Sequence, residues 1–325
     1  MKNFTKLALV SSIAFSANAM AMQAMDDAAL SSTTGQDGIN IGIGISKIEI
    51  EKLYIHDNDG LAAKGIAGVD AGSGGTGAAG AIVIQGNGIV GDALEKKGII
   101  IGANYADNGA YLLASRNLAD LRIDTDAGTG ANGAFINIAA DVSGLDIKIG
   151  EIGVTASGTA GTTGIRRGGD DSNYNAILSG LSLKTGPMAA NVQLGAAPQG
   201  AMIKLSTTMA GGLEINNLGI LDASTKTATR AAGEIFIESI KVTDAGANDL
   251  TIKQDVRVYG KEGANNGYIQ MVSNSGPIDN YVKGIHLGSK DAGSIGDIEV
   301  QGLQTFYSPS MGVYNPGSVI TISSK

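Results

Sequence analysis

The chain has 325 residues, of which Gly accounts for 49, Cys and Trp for none, and Pro for only 5; charged residues make up 17% and the formal net charge is −8. Glycine at roughly twice its usual ~7% share, without a period of three and with little proline, excludes collagen. The absence of cysteine excludes disulfide stapling and thiolate metal sites, and so many interior glycines argue against a helical enzyme.

Met1–Lys6 carries Lys2 and Lys6 and no acid. An apolar run from Leu7 to Phe15 follows, then two small-x-small sites, Ala17-Asn18-Ala19 and Ala19-Met20-Ala21. This is the layout of a Sec-type signal peptide over 1–21. It predicts export to the periplasm, the cell surface or an extracellular fibre. Removing both lysines leaves the mature chain more acidic still, which disfavours nucleic acid as a partner. No later run is long and apolar enough for a membrane helix, so no transmembrane segment is expected after cleavage.

Residues 22–38 read as a short helix, Met22–Ser31, closed by a turn at Gly35 and Gly38. A period-two run, Ile39-Asn40-Ile41-Gly42-Ile43, then opens a repetitive β domain over 39–306. One spacing of large aliphatics (Φ) keeps returning there, Φ-x-Φ-x-x-Φ-x-Φ. It occurs at Ile48–Ile55, Ile147–Val154, Leu213–Ile220 and Ile235–Val242, and at Ile298–Thr305 with a polar last position. A near-copy, Leu250-x-Ile252 then Val256-x-Val258, has three residues in the gap. A two-residue gap between period-two halves keeps both sets of aliphatics on one face only if the backbone bulges or turns there. Gly150 and Asn217, which occupy that gap, tolerate the angles required.

A second pattern, Gly-Ala-Φ-Φ-x-Φ, occurs at Gly133–Ile138 and Gly200–Leu205, with looser versions at Gly80–Ile84 and Gly109–Leu113. Small-residue loops such as Ala71–Gly77 and Ser157–Gly164 separate the strands. The fold class is therefore all-β. A β-solenoid or β-helix-like stack of short strands is expected, with an elongated antiparallel sheet or sandwich as the alternative. Residues 307–325, holding Pro309 and Pro316, are expected to cap the last strand edge.

Candidate chemistry is sparse, and no catalytic, cofactor-binding or metal-ligating residue is assigned. His56 and His286 each follow a strand-like run and read as surface or loop-edge residues. The clusters Asp57-Asn58-Asp59-Gly60, Asp124-x-Asp126 and Gly168-Gly169-Asp170-Asp171 lack the remaining ligands of a calcium loop and read as turns. Arg166-Arg167 suits a polysaccharide groove, but its neighbours Asp170 and Asp171 favour local charge neutralisation in a solvated loop.

The signal-like leader, Met25-Asp26-Asp27-Ala28-Ala29-Leu30-Ser31 and Thr33-Thr34-Gly35-Gln36-Asp37-Gly38-Ile39 together resemble the opening of the FilA-like pilus-system family of exported Gram-negative proteins. The resemblance implies a non-enzymatic component of a pilus or fimbrial assembly system, structural or adhesive, with no catalytic residue to carry over. Expected partners are other pilus-system proteins or further copies of the chain, joined through strand edges. The alternative is a secreted carbohydrate-active β-helix enzyme.

Overall fold

In the computed structural model, the structure describes residues 38–62, 74–129, 133–159, 164–263 and 266–323. The predicted signal peptide, the helix at 22–31 and most of the family-like opening lie outside them, as do parts of the loops at 71–77 and 157–164. The chain divides into two units, Met1–Ile39 and Asn40–Lys325, and the description concerns the second. Among the described residues, no helix is long and apolar enough to cross a membrane.

The chain is all-β, with 55% of it in strands. The strands fall into eight consecutive segments, each crossing two sheets. The first segment holds β1 (Ile39–Ile43), β2 (Lys47–Ile50) and β3 (Leu53–His56). The second holds β4 (Gly80–Gln85), β5 (Ile99–Ala103) and β6 (Ala119–Asp126). The third holds β7 (Phe135–Val142), β8 (Leu145–Ile149) and β9 (Glu151–Ala156). The fourth holds β10 (Asn175–Leu178), β11 (Leu181–Lys184) and β12 (Met188–Gly195).

Later segments have fewer breaks. The fifth is β13 (Ile203–Met209) and β14 (Leu213–Asp222), the sixth β15 (Gly233–Asp244) and β16 (Leu250–Tyr259). The seventh is β17 (Tyr268–Ser273) and β18 (Ile278–Gly288). The eighth starts with β19 (Ser294–Leu303), makes a small hairpin of β20 (Phe306–Tyr307) and β21 (Asn315–Pro316), and ends in β22 (Ser318–Ile322).

Sheet A orders its strands β1-β6-β7-β12-β13-β16-β17-β22, which is one strand from each segment in chain order. Sheet B repeats that order with the remaining pieces: β2 and β3 beside β5 and β4, then β8 and β9, β11 and β10, β14, β15, β18 and β19. Successive segments run in opposite directions, and their ladders are antiparallel. The pairing is thus antiparallel from segment to segment. Coils of a β-helix stack parallel, and these ladders do not build that stack. The sheets curve into a nearly closed, barrel-like arrangement, but among the described residues the outer sides of the first and eighth segments carry no ladder.

Two-residue gaps recur across sheet B, those of β14, β15 and β18 directly opposite one another and that of the fourth segment two residues along β14. They fall at 51–52 in the first segment, at 179–180 in the fourth, at 216–217 in β14, at 238–239 in β15 and at 283–284 in β18. The registers set Leu218 opposite Ile237, Ile237 opposite Ile285, and Ile215 opposite Ile240. The gaps of β14, β15 and β18 therefore form one bulge line, whose matching bulges keep those ladders in register. Asn217 takes φ 58° and Gly284 φ 65° on that line, the left-handed backbone anticipated for the gap. Gly150 contributes differently. A methyl group there would collide with the Gln85 carbonyl oxygen, so glycine permits a close backbone approach. In the second segment the gap is widened into an excursion over 86–98, pinned where the Gly98 N–H donates to Ile50 O and Glu51 O, both at 2.9 Å.

Sheets A and B meet at a second line of corners, whose freed backbone groups must find new partners. Side chains supply many of them. Fully buried Ser143 donates from Oγ to Asn117 O at 2.7 Å and accepts from the Leu113 N–H at 3.0 Å. Buried Asn104 donates to Thr185 O at 3.1 Å, and Thr185 Oγ1 accepts from the Leu145 N–H at 2.9 Å. Asp279 accepts from the N–H groups of Gly246 and Gly302 at 2.8 and 2.7 Å.

Several expectations change. The copy at Ile298–Thr305 lies off the bulge line, because its gap falls beside the corner where Asp279 holds Gly302. Gly109–Leu113 belongs to the corner excursion after β5 and is not a strand. The C-terminal stretch does not cap an edge. Residues 318–322 add the outermost strand of sheet A, pairing with β17, while Tyr307–Pro309 lies over a face of that sheet beside Val272.

Candidate functional site

A cleft of about 700 Å³ lies on the polar face of β3 against the loop that follows β9. Its lining includes Glu51, Lys52, Tyr54, His56, Arg166 and Arg167. Alternation along β3 directs Tyr54 and His56 to one side, where their rings stack at 5.7 Å. The cleft thus unites two features far apart in the chain, His56 and the arginine pair. His56 Nδ1 lies 2.7 Å from Ser157 Oγ. Arg167 donates to Gly158 O at 2.7 Å and to Asn58 Oδ1 at 2.6 Å. It therefore ties two loops together and does not neutralise Asp170 or Asp171. Lys52 approaches Asp171 at 3.5 Å, and among the described residues Glu51 is the only carboxylate in the lining.

The acidic clusters behave as turns. Asp59 N–H faces Asp57 Oδ1 at 3.4 Å, and Gly60 takes φ 67°. Asp126 accepts from the Gly128 N–H at 2.6 Å. Asp170 caps a single 3-10 turn, accepting from Ser172 Oγ at 2.6 Å and Ser172 N–H at 2.9 Å. Those two Ser172 bonds hold its carboxyl below the usual carboxylate range. Among the described residues no group of three His, Cys, Asp or Glu could hold a metal ion.

His286 differs from the surface reading. It lies on β18 opposite Phe236, is only 9% exposed, and meets that ring edge-on. Its Nδ1 lies 2.5 Å from Ala292 O and its Nε2 3.3 Å from Glu238 Oε1. The Ala292 carbonyl, with Glu238 behind it, raises its pKa against the opposing effect of burial. These contacts fasten the hairpin after β18 back onto the sheet.

Two features of sheet B escaped sequence reasoning because cross-strand register creates them. On the polar face, Lys47 stands opposite Gly102, Gly102 opposite Asp146, and Asp146 opposite Lys184. The row continues through Glu214, Lys241 and Tyr281 to Glu299. Signs alternate wherever charges are adjacent in it. On the opposite face one residue along, Ile48, Ile101, Ile147 and Leu183 align in the same way. They continue into Ile215, Ile240, Val282 and Ile298. Every segment contributes a large aliphatic to this second row. Its two ends are exposed, Ile48 by 37% and Ile298 by 49%, while its interior members are half-buried.

Residues 1–127 match a family of unknown function, DUF6160. The match ends in the hairpin after β6, so it spans the N-terminal region and the first two of the eight segments. No curated protein and no solved structure matches the chain.

Proposed function

We propose that this chain is an exported, non-enzymatic surface protein, a structural or adhesive component of a pilus-type assembly system. The observation that carries the reading is the pair of open edges. Among the described residues, β2 and β3 on one side and β19 on the other present unpaired backbone and exposed aliphatics, the surface from which strand addition proceeds. The leader and the acidic opening, with their resemblance to the FilA-like family, support the same reading. Immunogold labelling of intact cells tests it. Label along a fibre, at its tip or on the envelope is expected, with loss of fibres when the gene is deleted. Label confined to the cytoplasm would overturn it.

The Tyr54, His56, Arg166 and Arg167 cleft favours a second reading, a carbohydrate-active enzyme, because planar rings and guanidinium groups suit acidic sugars. Its single carboxylate is fewer than the pair that glycoside hydrolysis ordinarily uses. Release of a product from any polysaccharide, abolished by Arg166→Ala with Arg167→Ala, would establish that reading.

A further inference from the structure

We infer that the open edges recognise one another in different copies, so that the chain stacks head to tail, β19 of one copy pairing antiparallel with β2 of the next. The inference rests on the proposed surface role and names the partner at the edge: a second copy of this chain.

Three observations carry it. The first is parity. The first segment runs from sheet A to sheet B and the eighth runs back from B to A. Eight alternating segments therefore leave edges that are antiparallel to each other, and a second copy extends the meander without breaking the alternation. The second is charge. The polar row ends in Lys47 at one edge and Glu299 at the other. Among the described residues, Lys47 pairs with Glu49 at 2.5 Å and Glu299 accepts from Gln301 at 2.6 Å, each two residues along its own strand. Opposing these ends continues the alternation of sign, and unlike charges directly across a ladder favour pairing.

The third is the aliphatic row. With Lys47 opposite Glu299, antiparallel register sets Ile48 opposite Ile298, which covers both exposed ends and makes the row continuous between copies. The same register brings Glu49 opposite Asp297. Each already has compensation: Glu49 bonds Lys47 and Lys97 (3.2 Å), and Asp297 accepts from Tyr281 Oη at 2.7 Å and the Gly284 N–H at 2.8 Å. Because the two edges differ, the interface is heterologous. Such an interface propagates as an open fibre unless its rotation closes a ring.

The chain has no cysteine, so introduced thiols report on this contact alone. Ile48→Cys and Ile298→Cys are made singly and together in the full exported chain and oxidised. Mixing the two single variants is expected to give a covalent dimer, and the double variant a ladder of covalent oligomers. An internally bridged monomer from the double variant would show that the edges meet within one chain. Dimers from either single variant alone would show that like edges pair. Both results overturn the inference, as does an unlinked, monodisperse chain.

Charge reversal provides the second arm. Lys47→Glu or Glu299→Lys should raise the concentration for half-assembly in light scattering about tenfold. The combined exchange should restore it to within about twofold. Failure of the exchange to restore assembly sinks the register. Surface label on cells without covalent dimers overturns the stacking and leaves the surface role standing. Covalent ladders without surface label do the reverse.

Discussion

β14 and β16 sit in successive segments and carry almost the same aliphatic spacing, yet one crosses a bulge and the other runs straight. In β14 two residues, Asn216 and Asn217, separate Ile215 from Leu218, and Asn217 takes φ 58°. In β16 three residues separate Ile252 from Val256, and the strand holds unbroken register with β13 from Ile203 opposite Val256 to Met209 opposite Leu250. An even step from one aliphatic to the next preserves the alternation of faces, with Gln254 in the place an aliphatic would take. An odd step does not, so the backbone must absorb one residue. In these two strands the parity of one gap separates a straight run within sheet A from a crossing of the bulge line in sheet B.

Deleting Asn217 attacks this difference most directly. It makes the β14 gap a single residue, and without the bulge Ile215 and Leu218 are two apart and need no backbone distortion. The bulge of β15 beside it then has no counterpart. Loss of a cooperative urea transition followed by circular dichroism is the expected result, and a wild-type transition would show that neighbouring bulges need not match. Gly150→Ala should be milder, costing about 2–3 kcal/mol as the new methyl meets the Gln85 carbonyl. Gly260→Ala, just beyond β16 in open space, should stay within about 0.5 kcal/mol of wild type. Equal urea midpoints for the two variants would remove the bulge line's special status.

Next in size is the backbone at Asn217 itself. Asn217→Val should lose about 1–2 kcal/mol for a β-branched residue held in left-handed geometry, whereas Asn217→Gly should be nearly neutral. The smallest effects concern pH. N–H groups of Gly246 and Gly302 hold the Asp279 carboxyl below its ordinary value, and the Gly284 N–H and Tyr281 hydroxyl do the same for Asp297. Their contribution is fully present above the ordinary carboxylate pKa of about 3.9, and is lost as pH falls through the lowered values. Asp279→Asn should therefore flatten the acid side of the stability profile. His286 has the opposite sign. Its pKa is raised, so its contribution is complete below the ordinary value of about 6.5 and is lost as pH rises through the raised one. His286→Gln should flatten that stretch of the profile, and an unchanged profile would discount the contact with Ala292.

Much of sheet B was legible because alternation and gap parity are local. Four copies of the spacing, at Ile48, Ile147, Leu213 and Ile235, start strands that cross the bulge line. Two more went unseen. Ala176-x-Leu178-x-x-Leu181-x-Leu183 begins on a small residue, and Asn280-x-Val282-x-x-Ile285-x-Leu287 on a polar one, so neither matches a pattern of large aliphatics. The second segment hides its copy by holding the halves, Ile82-x-Ile84 and Ile99-x-Ile101, apart with the 86–98 excursion. The cleft was legible only as parts. His56 and Arg167 carry no local sign that Ser157 and Asn58 await them.

Residue order alone determined that the chain is β-rich, where its strands change face, and which small or turn-prone residues make those changes possible. These follow from the two-residue period of an extended backbone and from steric limits on φ, which act within a few residues. Direction of stacking, partner choice and the alignment of Lys47 through to Glu299 were decided only by tertiary structure. Each depends on which segments hydrogen-bond across the sheet, and that pairing joins residues that lie in neighbouring segments, well beyond the reach of local alternation.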